Sequence, residues 1–134
     1  MKYSFEDLEV WQKAVEFARL IIGLTEQIET NRKHFRLIEQ LESASASVAL
    51  NIAEGKGRYS KKEYIQFLYV ARGSLFETVT LLTIFQRNGW INEKQLDSIK
   101  NSSDEIGKML NGLIASIKSS FNTIPKSQDL TART

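Results

Sequence analysis

Apolar side chains recur at alternating steps of three and four residues along most of the chain. In the first segment this stripe runs over Leu8–Ile22, and a second stripe lies beside it over Ala14–Ile28. Similar stripes cover Tyr64–Phe85 and Leu96–Ile117. The alternation with a period of two that a half-buried strand shows is not sustained anywhere. The pattern therefore predicts amphipathic helices with near-heptad seams, which are typical of helix bundles.

The second segment differs because small side chains interrupt its apolar positions. Residues 43–49 read SASASVA, in which six of the seven side chains are Ser or Ala. Such side chains allow another helix to approach closely. That helix lies either within the same bundle or on another subunit, and the sequence leaves both arrangements open.

Turn and capping residues set the bounds of the predicted helices. Ser60 and Glu63 form a Ser-x-x-Glu capping box, and Asn92 and Gln95 form a looser variant of it. Glycines that can end a helix follow the second and third segments. We therefore predict four helices, at about 6–30, 34–54, 61–87 and 93–119.

Short connections between these helices determine the expected architecture. Helices joined by short loops lie antiparallel, so we expect an all-α chain folded as an antiparallel up-and-down four-helix bundle. This bundle occupies residues 1–121. The remaining residues, 122–134, are polar and aperiodic, and they are expected to form a flexible tail.

The composition fits one globular domain and narrows its chemistry. The chain has 134 residues, of which 42% are hydrophobic and 25% are charged. It contains no cysteine, and His34 is its only histidine. These counts exclude disulfides, thiolate sites and the paired Glu-x-x-His motifs of di-iron bundles. The sequence contains no recognisable nucleophile–base pair, metal-ligand set or cofactor-binding loop. We therefore expect no enzymatic activity, no metal and no cofactor.

Neither a membrane span nor a signal peptide is recognisable. No apolar run approaches the ~20 residues that cross a bilayer. The stretch MKYSFEDLEV at residues 1–10 is too acidic and too polar for a signal peptide. We therefore expect a cytoplasmic protein with no membrane partner.

Basic side chains are concentrated in the middle of the chain. Residues 32–72 carry eight basic and four acidic side chains, a net charge of +4, whereas the whole chain carries +2. Two groups account for the excess, one before the second helix (the loop cluster) and one after it (the turn cluster). The loop cluster is Arg32, Lys33 and Arg36, and the turn cluster is Lys56, Arg58, Lys61 and Lys62. Both are candidate contacts for RNA or DNA, with a solvated surface as the alternative.

Any such binding is expected to be weak for one subunit. A few neutralised phosphates give a Kd in the non-specific range of about 10⁻⁴–10⁻⁶ M. Neither cluster shows an aromatic platform of the kind that reads unstacked bases. We therefore expect poor sequence selectivity.

The stretch NIAEGKGRYSKKE over residues 51–63 combines turn signals with unexplained polar residues. Its GKG is not a phosphate-binding P-loop, because a helix rather than a strand precedes it. A helix end, a tight turn and a new N-cap explain the glycines and Ser60. They do not explain Asn51, Glu54 and Arg58, which we group with Glu77 as the signature polar residues. We favour a structural polar network, with Arg58 paired to Glu54 or to another subunit, over direct ligand contact.

The first helix carries large apolar side chains on more than one face. One face holds Leu8, Trp11 and Val15, and the other holds Ala14, Phe17 and Ile21. Surplus apolar surface of this kind marks an interface. We therefore predict a stable homo-oligomer.

Three stretches of the sequence resemble one bacterial protein family. They are FEDLEVWQKA at 5–14, FRLIEQLESASASVALNIAEGKGR at 35–58 and YIQFLYVARGSLFET at 64–78. The family is that of the four-helix bundle proteins encoded in intervening sequences of bacterial 23S rRNA genes, which are classed as ribosomal-protein-like. The accessory variability determinant proteins of diversity-generating retroelements are similar. The resemblance covers about residues 5–118.

The resemblance implies a homopentameric ring of four-helix protomers. It implies a non-enzymatic scaffold or accessory protein, with RNA, DNA or another protein such as a reverse transcriptase as candidate partners. The chain departs from the family pattern at Glu42 and Ser43, where basic residues are common. This departure weakens the expectation that the part of the second helix carrying these residues binds nucleic acid. The alternative function is a protein–protein interaction module with no nucleic-acid role.

Overall fold

The computed structural model describes residues 1–121, and the predicted tail at 122–134 lies outside the described residues. A short 3-10 helix at Ser4–Asp7 precedes four α-helices. These are α1 (Glu9–Thr25), α2 (Phe35–Lys56), α3 (Lys61–Arg87) and α4 (Glu93–Ser120). Residues 1–121 contain no strand. The prediction of an all-helical chain with four helices is therefore confirmed for that part of the protein.

The predicted range 6–30 for the first helix is wrong at both ends. At its start, Leu8 has an extended backbone (φ −73°, ψ 120°), which separates the 3-10 helix from α1. At its end, the Thr25 hydroxyl donates to a Glu42 carboxylate oxygen on α2 at 2.8 Å. The chain leaves the helix there, and Ile28 packs against the core from a turn. Contacts with the rest of the fold thus override a stripe that the sequence continues to Ile28.

One hydrophobic core lies between the four helices. α2 packs on α1 and α3, while α4 packs on α3 and α1. The most deeply buried large side chains come from all four helices, and they include Phe17, Leu41, Leu68, Leu82 and Leu110. Burying each such side chain contributes about 1.5–3 kcal/mol of transfer free energy, so this core dominates the stability of the protomer.

The contact between α2 and α3 is the most extensive in the bundle. The Ser74 hydroxyl of α3 donates to the Ser47 hydroxyl of α2 at 2.9 Å. Ala44, Ser45 and Val48 are buried beside this pair. Small side chains on α2 therefore admit a helix of the same bundle, which is one of the two arrangements that the sequence left open.

α3 is long and apolar enough, by length and composition alone, to cross a membrane. Core helices of globular proteins also pass this test. Leu68, Leu75 and Leu82 of α3 pack into the shared core, which is how a core helix behaves.

Candidate functional site

The turn between α2 and α3 presents the turn cluster. α2 ends at Lys56, and the N–H of Gly57 bonds to the Ala53 carbonyl oxygen at 3.2 Å. The side chain of Ser60 caps α3 by accepting from the Glu63 N–H at 3.0 Å. Because a cap closes α2 and another opens α3, the backbone of this short turn has a defined conformation.

Gly55 lets α3 pass close to the end of α2. A Cβ atom at this position would lie 2.8 Å from the Phe67 Cβ, and 3.2 Å from the Tyr64 carbonyl oxygen. Real Cβ atoms do not approach other atoms this closely. The glycine is therefore required by helix packing and not only by the turn that follows it.

The four side chains of the turn cluster lie at this end of the bundle. The Arg58 guanidinium carbon lies 4.6 Å from the ring centroid of Phe67, and the Lys56 Nζ lies 5.9 Å from that of Tyr64. The Lys61 Nζ donates to the Ser120 hydroxyl of α4 at 2.9 Å. Arg58 also pairs with Glu54, whereas the three lysines have no carboxylate partner within residues 1–121. Three positive charges of the cluster are thus unneutralised.

The loop cluster lies at the other end of α2. Arg32 and Lys33 belong to the connection before this helix, and Arg36 is in its first turn. All three are exposed. A helix of 22 residues is about 33 Å long, so one protomer does not join the two clusters into a single patch.

Backbone strain accompanies the loop cluster. Asn31, Arg32 and His34 have φ angles of 54°, 62° and 65°, in the left-handed region that L-residues rarely adopt. The His34 ring is centred 4.9 Å from the Trp90 ring at the end of the α3–α4 connection. Trp90 packs in turn on Phe85. This stack ties the strained loop to the core.

The signature polar residues do not form one connected network. The Asn51 amide donates to both the carbonyl and the hydroxyl oxygen of Ser47, each at 2.8 Å. The Arg58 guanidinium and the Glu54 carboxylate form a separate pair at 3.2 Å. Glu77 is exposed on α3 and has no ion pair within the described residues. Asn51 is thus connected through Ser47 to the Ser74 hydroxyl of α3. Glu77 belongs to neither of these two groups.

Three of the exposed large apolar side chains lie on the adjacent helices α2 and α3. Leu50 on α2 is 63% exposed, and Val70 and Ile84 on α3 are 52% and 43% exposed. We call these three residues the apolar face. Val70 and Ile84 are two heptads apart on α3, and the exposed carboxylate of Glu77 lies midway between them in the sequence.

The first helix contributes less to surplus apolar surface than its sequence suggests. Ala14, Phe17 and Ile21 are buried in the core of the protomer. Leu8 and Trp11 are partly buried against that core. Val15, Leu20 and Ile22 nevertheless remain 40%, 45% and 38% exposed, so this helix keeps apolar surface that the bundle does not cover.

Tyr64 is the one buried polar side chain without a partner in the described part of the chain. Its hydroxyl group is inaccessible to solvent and has no hydrogen bond there. Burial raises the pKa of this phenol above its ordinary value. Within residues 1–121 there is also no group of three or more His, Cys, Asp or Glu side chains that could hold a metal ion.

Comparisons with known proteins agree with the resemblance drawn from the sequence motifs. The sequence model of the 23S rRNA-intervening sequence protein family matches residues 6–112. Among solved structures, the chain is similar to a protein of unknown function from the S23 ribosomal protein family of Bacteroides thetaiotaomicron. The two are 31% identical with a TM-score of 0.73, and the alignment covers 78% of this chain and 97% of the other.

No curated protein matches the chain. The family match nevertheless spans the whole of α1, α2 and α3 and most of α4. It therefore includes the apolar face, both basic clusters and all four signature polar residues. The chain belongs to the 23S rRNA-intervening sequence protein family.

Proposed function

We propose that this protein is a non-enzymatic, homo-oligomeric scaffold or accessory protein of the cytoplasm that contacts RNA or DNA through its basic clusters. The apolar face carries the assembly part of the proposal. Leu50 and Val70 are each more than half exposed on the outside of the bundle. Exposed apolar side chains mark an interaction site where several of them adjoin.

The protomer is an antiparallel up-and-down bundle in this proposal. Contacts between helices support it, because residues late in one helix meet residues early in the next. Gly55 near the end of α2 lies against Phe67 near the start of α3. Lys61 at the start of α3 bonds to Ser120 at the end of α4.

A second copy of this chain is the proposed occupant of the apolar face. Small side chains at Ala46 and Gly73 flank the larger Leu50 and Val70 on the outer sides of α2 and α3. Such a mixture suits close packing of helices from neighbouring subunits. The family resemblance favours five subunits in a ring.

Ring assembly would change the strength of nucleic-acid binding. A single turn cluster offers only a few charges, which corresponds to a Kd of about 10⁻⁴–10⁻⁶ M. Repetition around a ring allows several clusters to engage one strand, which raises avidity by a factor of about 10² or more. The unpaired lysines of the turn cluster support this contact.

The nucleic-acid part is tested by titrating RNA and DNA, single- and double-stranded, at low and physiological salt. The matched variant replaces Lys56, Arg58, Lys61 and Lys62 with Ala. We expect binding that falls steeply with salt and that this variant loses. No binding by the intact oligomer even at low salt would refute the proposal. Unchanged binding by the variant would show that the turn cluster is the wrong site.

The second candidate function is a protein–protein interaction module with no nucleic-acid role. A hollow of about 600 Å³ beside Leu50 favours it, with Phe5, Ala53 and Gly57 among its lining residues. A protein partner such as the reverse transcriptase implied by the resemblance would insert an apolar side chain there. Native pull-down of a protein without nucleic acid, lost on Leu50→Glu, would favour this function over the first.

A further inference from the structure

A groove follows the seam between α3 and α4, away from the apolar face. Its volume is about 600 Å³. Arg72 and Phe76 of α3 line one wall, and Lys100, Asp104 and Lys108 of α4 line the other. Leu75, Val79 and Gly107 also line it, so the groove combines an apolar lining with charged side chains and one large aromatic side chain.

Tyr69 lies at the end of this groove between two cations. The Arg72 guanidinium carbon is 4.9 Å from the centroid of its ring, and the Lys118 Nζ of α4 is 5.3 Å from it. The ammonium group of Lys118 also donates to the Tyr69 hydroxyl at 2.6 Å. Arg72 is held from its other side by the Asn111 amide oxygen at 2.9 Å. Side chains from two helices thus fix two positive charges around one aromatic ring.

The alternation of aromatic and basic side chains continues in both directions. Towards the α2–α3 turn, the Lys61 Nζ lies 5.9 Å from the centroid of the Phe121 ring, and Tyr59 is fully exposed two residues before it. Along the groove, Phe76 is 59% exposed one turn after Arg72. The rings of Tyr59 and Phe76 are accessible to a ligand.

Positive charge is in excess along this strip. Asp104 is the one acidic side chain lining the groove, and Lys108 neutralises it at 3.1 Å. Lys61, Arg72, Lys100 and Lys118 have no carboxylate partner in the described part of the chain. Four cations without counter-charges attract a polyanion.

We infer that the α3–α4 groove, together with the strip that runs from it towards the α2–α3 turn, binds single-stranded nucleic acid, with Arg72, Lys118 and Lys61 on the phosphates and Phe76 and Tyr59 stacked on bases. Proteins that bind single strands combine a basic groove with accessible aromatic rings. A duplex hides the faces of its bases, so the exposed rings would gain nothing from it. The inference rests on the proposed nucleic-acid contact, but it names a surface that shares only Lys61 with the turn cluster.

The aromatic rings of this strip are additional to the two basic clusters, neither of which is expected to show an aromatic platform. Tyr69 and Lys118 are 49 residues apart, and only the packing of α4 on α3 brings them together.

The test uses the full chain and fluorescence anisotropy with labelled oligo(U), oligo(dT) and a duplex, each of about 16 nucleotides. One variant combines Arg72→Ala with Lys118→Ala, and another is Phe76→Ala. The matched control combines Arg87→Ala with Lys94→Ala, which removes the same charge from exposed sites of α3 and α4 outside the groove. Circular dichroism verifies that each variant keeps its helix content.

We expect the unmodified protein to prefer the single strands. The double variant should lower the slope of log K against log salt by about 1.4, since each phosphate contact on a single strand contributes about 0.7. Phe76→Ala should weaken single-strand binding about five-fold or more, the lower limit for one stacked base, while duplex binding stays unchanged. The control should bind like the unmodified protein.

Two results of the oligonucleotide titrations would overturn the inference and leave the proposed function standing. One is equal affinity for the duplex. The other is unchanged single-strand binding by both groove variants, because binding would then come from the turn cluster alone. Displacement of the oligonucleotide by polyglutamate at matched charge would also overturn it, because the groove would then bind any polyanion without contacts to bases. No binding of any oligonucleotide at low salt would refute both the inference and the nucleic-acid part of the proposed function.

Discussion

Gly55 of α2 and Phe67 of α3 are so close that a Cβ atom on the glycine would lie 2.8 Å from the Cβ of the phenylalanine. Neither atom can move freely, because each belongs to the first bond out of a helix backbone. The most extensive helix contact of the protomer thus depends on the absence of a side chain. The motif Gly-Lys-Gly-Arg at residues 55–58 owes its first glycine to this packing.

Gly55→Ala is expected to destabilise the protomer by about 1–3 kcal/mol, as overpacking of a well-packed core does. Gly57→Ala is the matched control, because the nearest atoms would be 3.7 Å away and its backbone is right-handed. Urea unfolding at one fixed protein concentration measures both. Equal stabilities of the two variants would show that α3 shifts far enough to accommodate a Cβ atom at residue 55.

Arg58→Gln is expected to lower the free energy of unfolding by less than about 1 kcal/mol. The pair with Glu54 is solvent-exposed on both sides, and exposed ion pairs contribute little. The contact with the Phe67 ring adds a comparable small amount. A loss as large as that expected for Gly55→Ala, in the same urea titration, would show that Arg58 has a structural role beyond these contacts.

Tyr64→Phe is expected to stabilise the protomer by about 1 kcal/mol at neutral pH. The Tyr64 hydroxyl is buried without a partner among the described residues, and such a group costs free energy relative to its hydration in water. Removing the oxygen leaves the packing of the ring unchanged. Thermal unfolding at pH 7 distinguishes this outcome from the loss that a hidden hydrogen bond would produce.

The same substitution should also change the response to alkaline pH. Burial raises the pKa of Tyr64 in the folded protein, so above about pH 10 the unfolded chain releases this proton more readily than the folded one. Stability therefore falls as pH rises through that range. The fall should be shallower in Tyr64→Phe than in the unmodified protein, and identical pH profiles would contradict the assignment.

Local sequence signals were sufficient for several parts of this fold. The capping boxes at Ser60 and Asn92 depend on side chains three residues apart. Both predicted hydrogen bonds form at Asn92, whereas at Ser60 only the side-chain cap on the Glu63 N–H is present. The heptad stripe of α3 likewise predicts the burial of Leu68, Leu75 and Leu82. These features can be predicted from the sequence because the residues that determine them are neighbours in the chain.

Features that depend on tertiary contacts could not be predicted from the sequence. α1 ends at Thr25, where the hydroxyl bonds to Glu42 of another helix. Leu50 directly follows the run of small residues at 43–49, and only the packed bundle reveals that it points outward. The cations around Tyr69 come from two helices. Periodicity in one sequence contains no information on which outer face remains uncovered.

Leu50→Glu is expected to dissociate the oligomer without unfolding the protomer, because the side chain is already 63% exposed in the isolated chain. Burying an unpaired carboxylate at an interface is costly. Leu20→Glu is the control, since Leu20 is 45% exposed on the side of α1 that faces α4. Sedimentation velocity with circular dichroism checks both variants. Dissociation by the control alone would locate the interface on α1 and α4.

Light scattering coupled to size exclusion gives the molar mass of the protein in solution, and it therefore shows directly whether this chain works as an assembly. The account predicts one species at micromolar concentration whose mass is a multiple of 15.3 kDa. A ring of five subunits has a mass of about 76 kDa. A species of 15.3 kDa at that concentration would contradict the account, because the apolar face would then be exposed to solvent in the working protein.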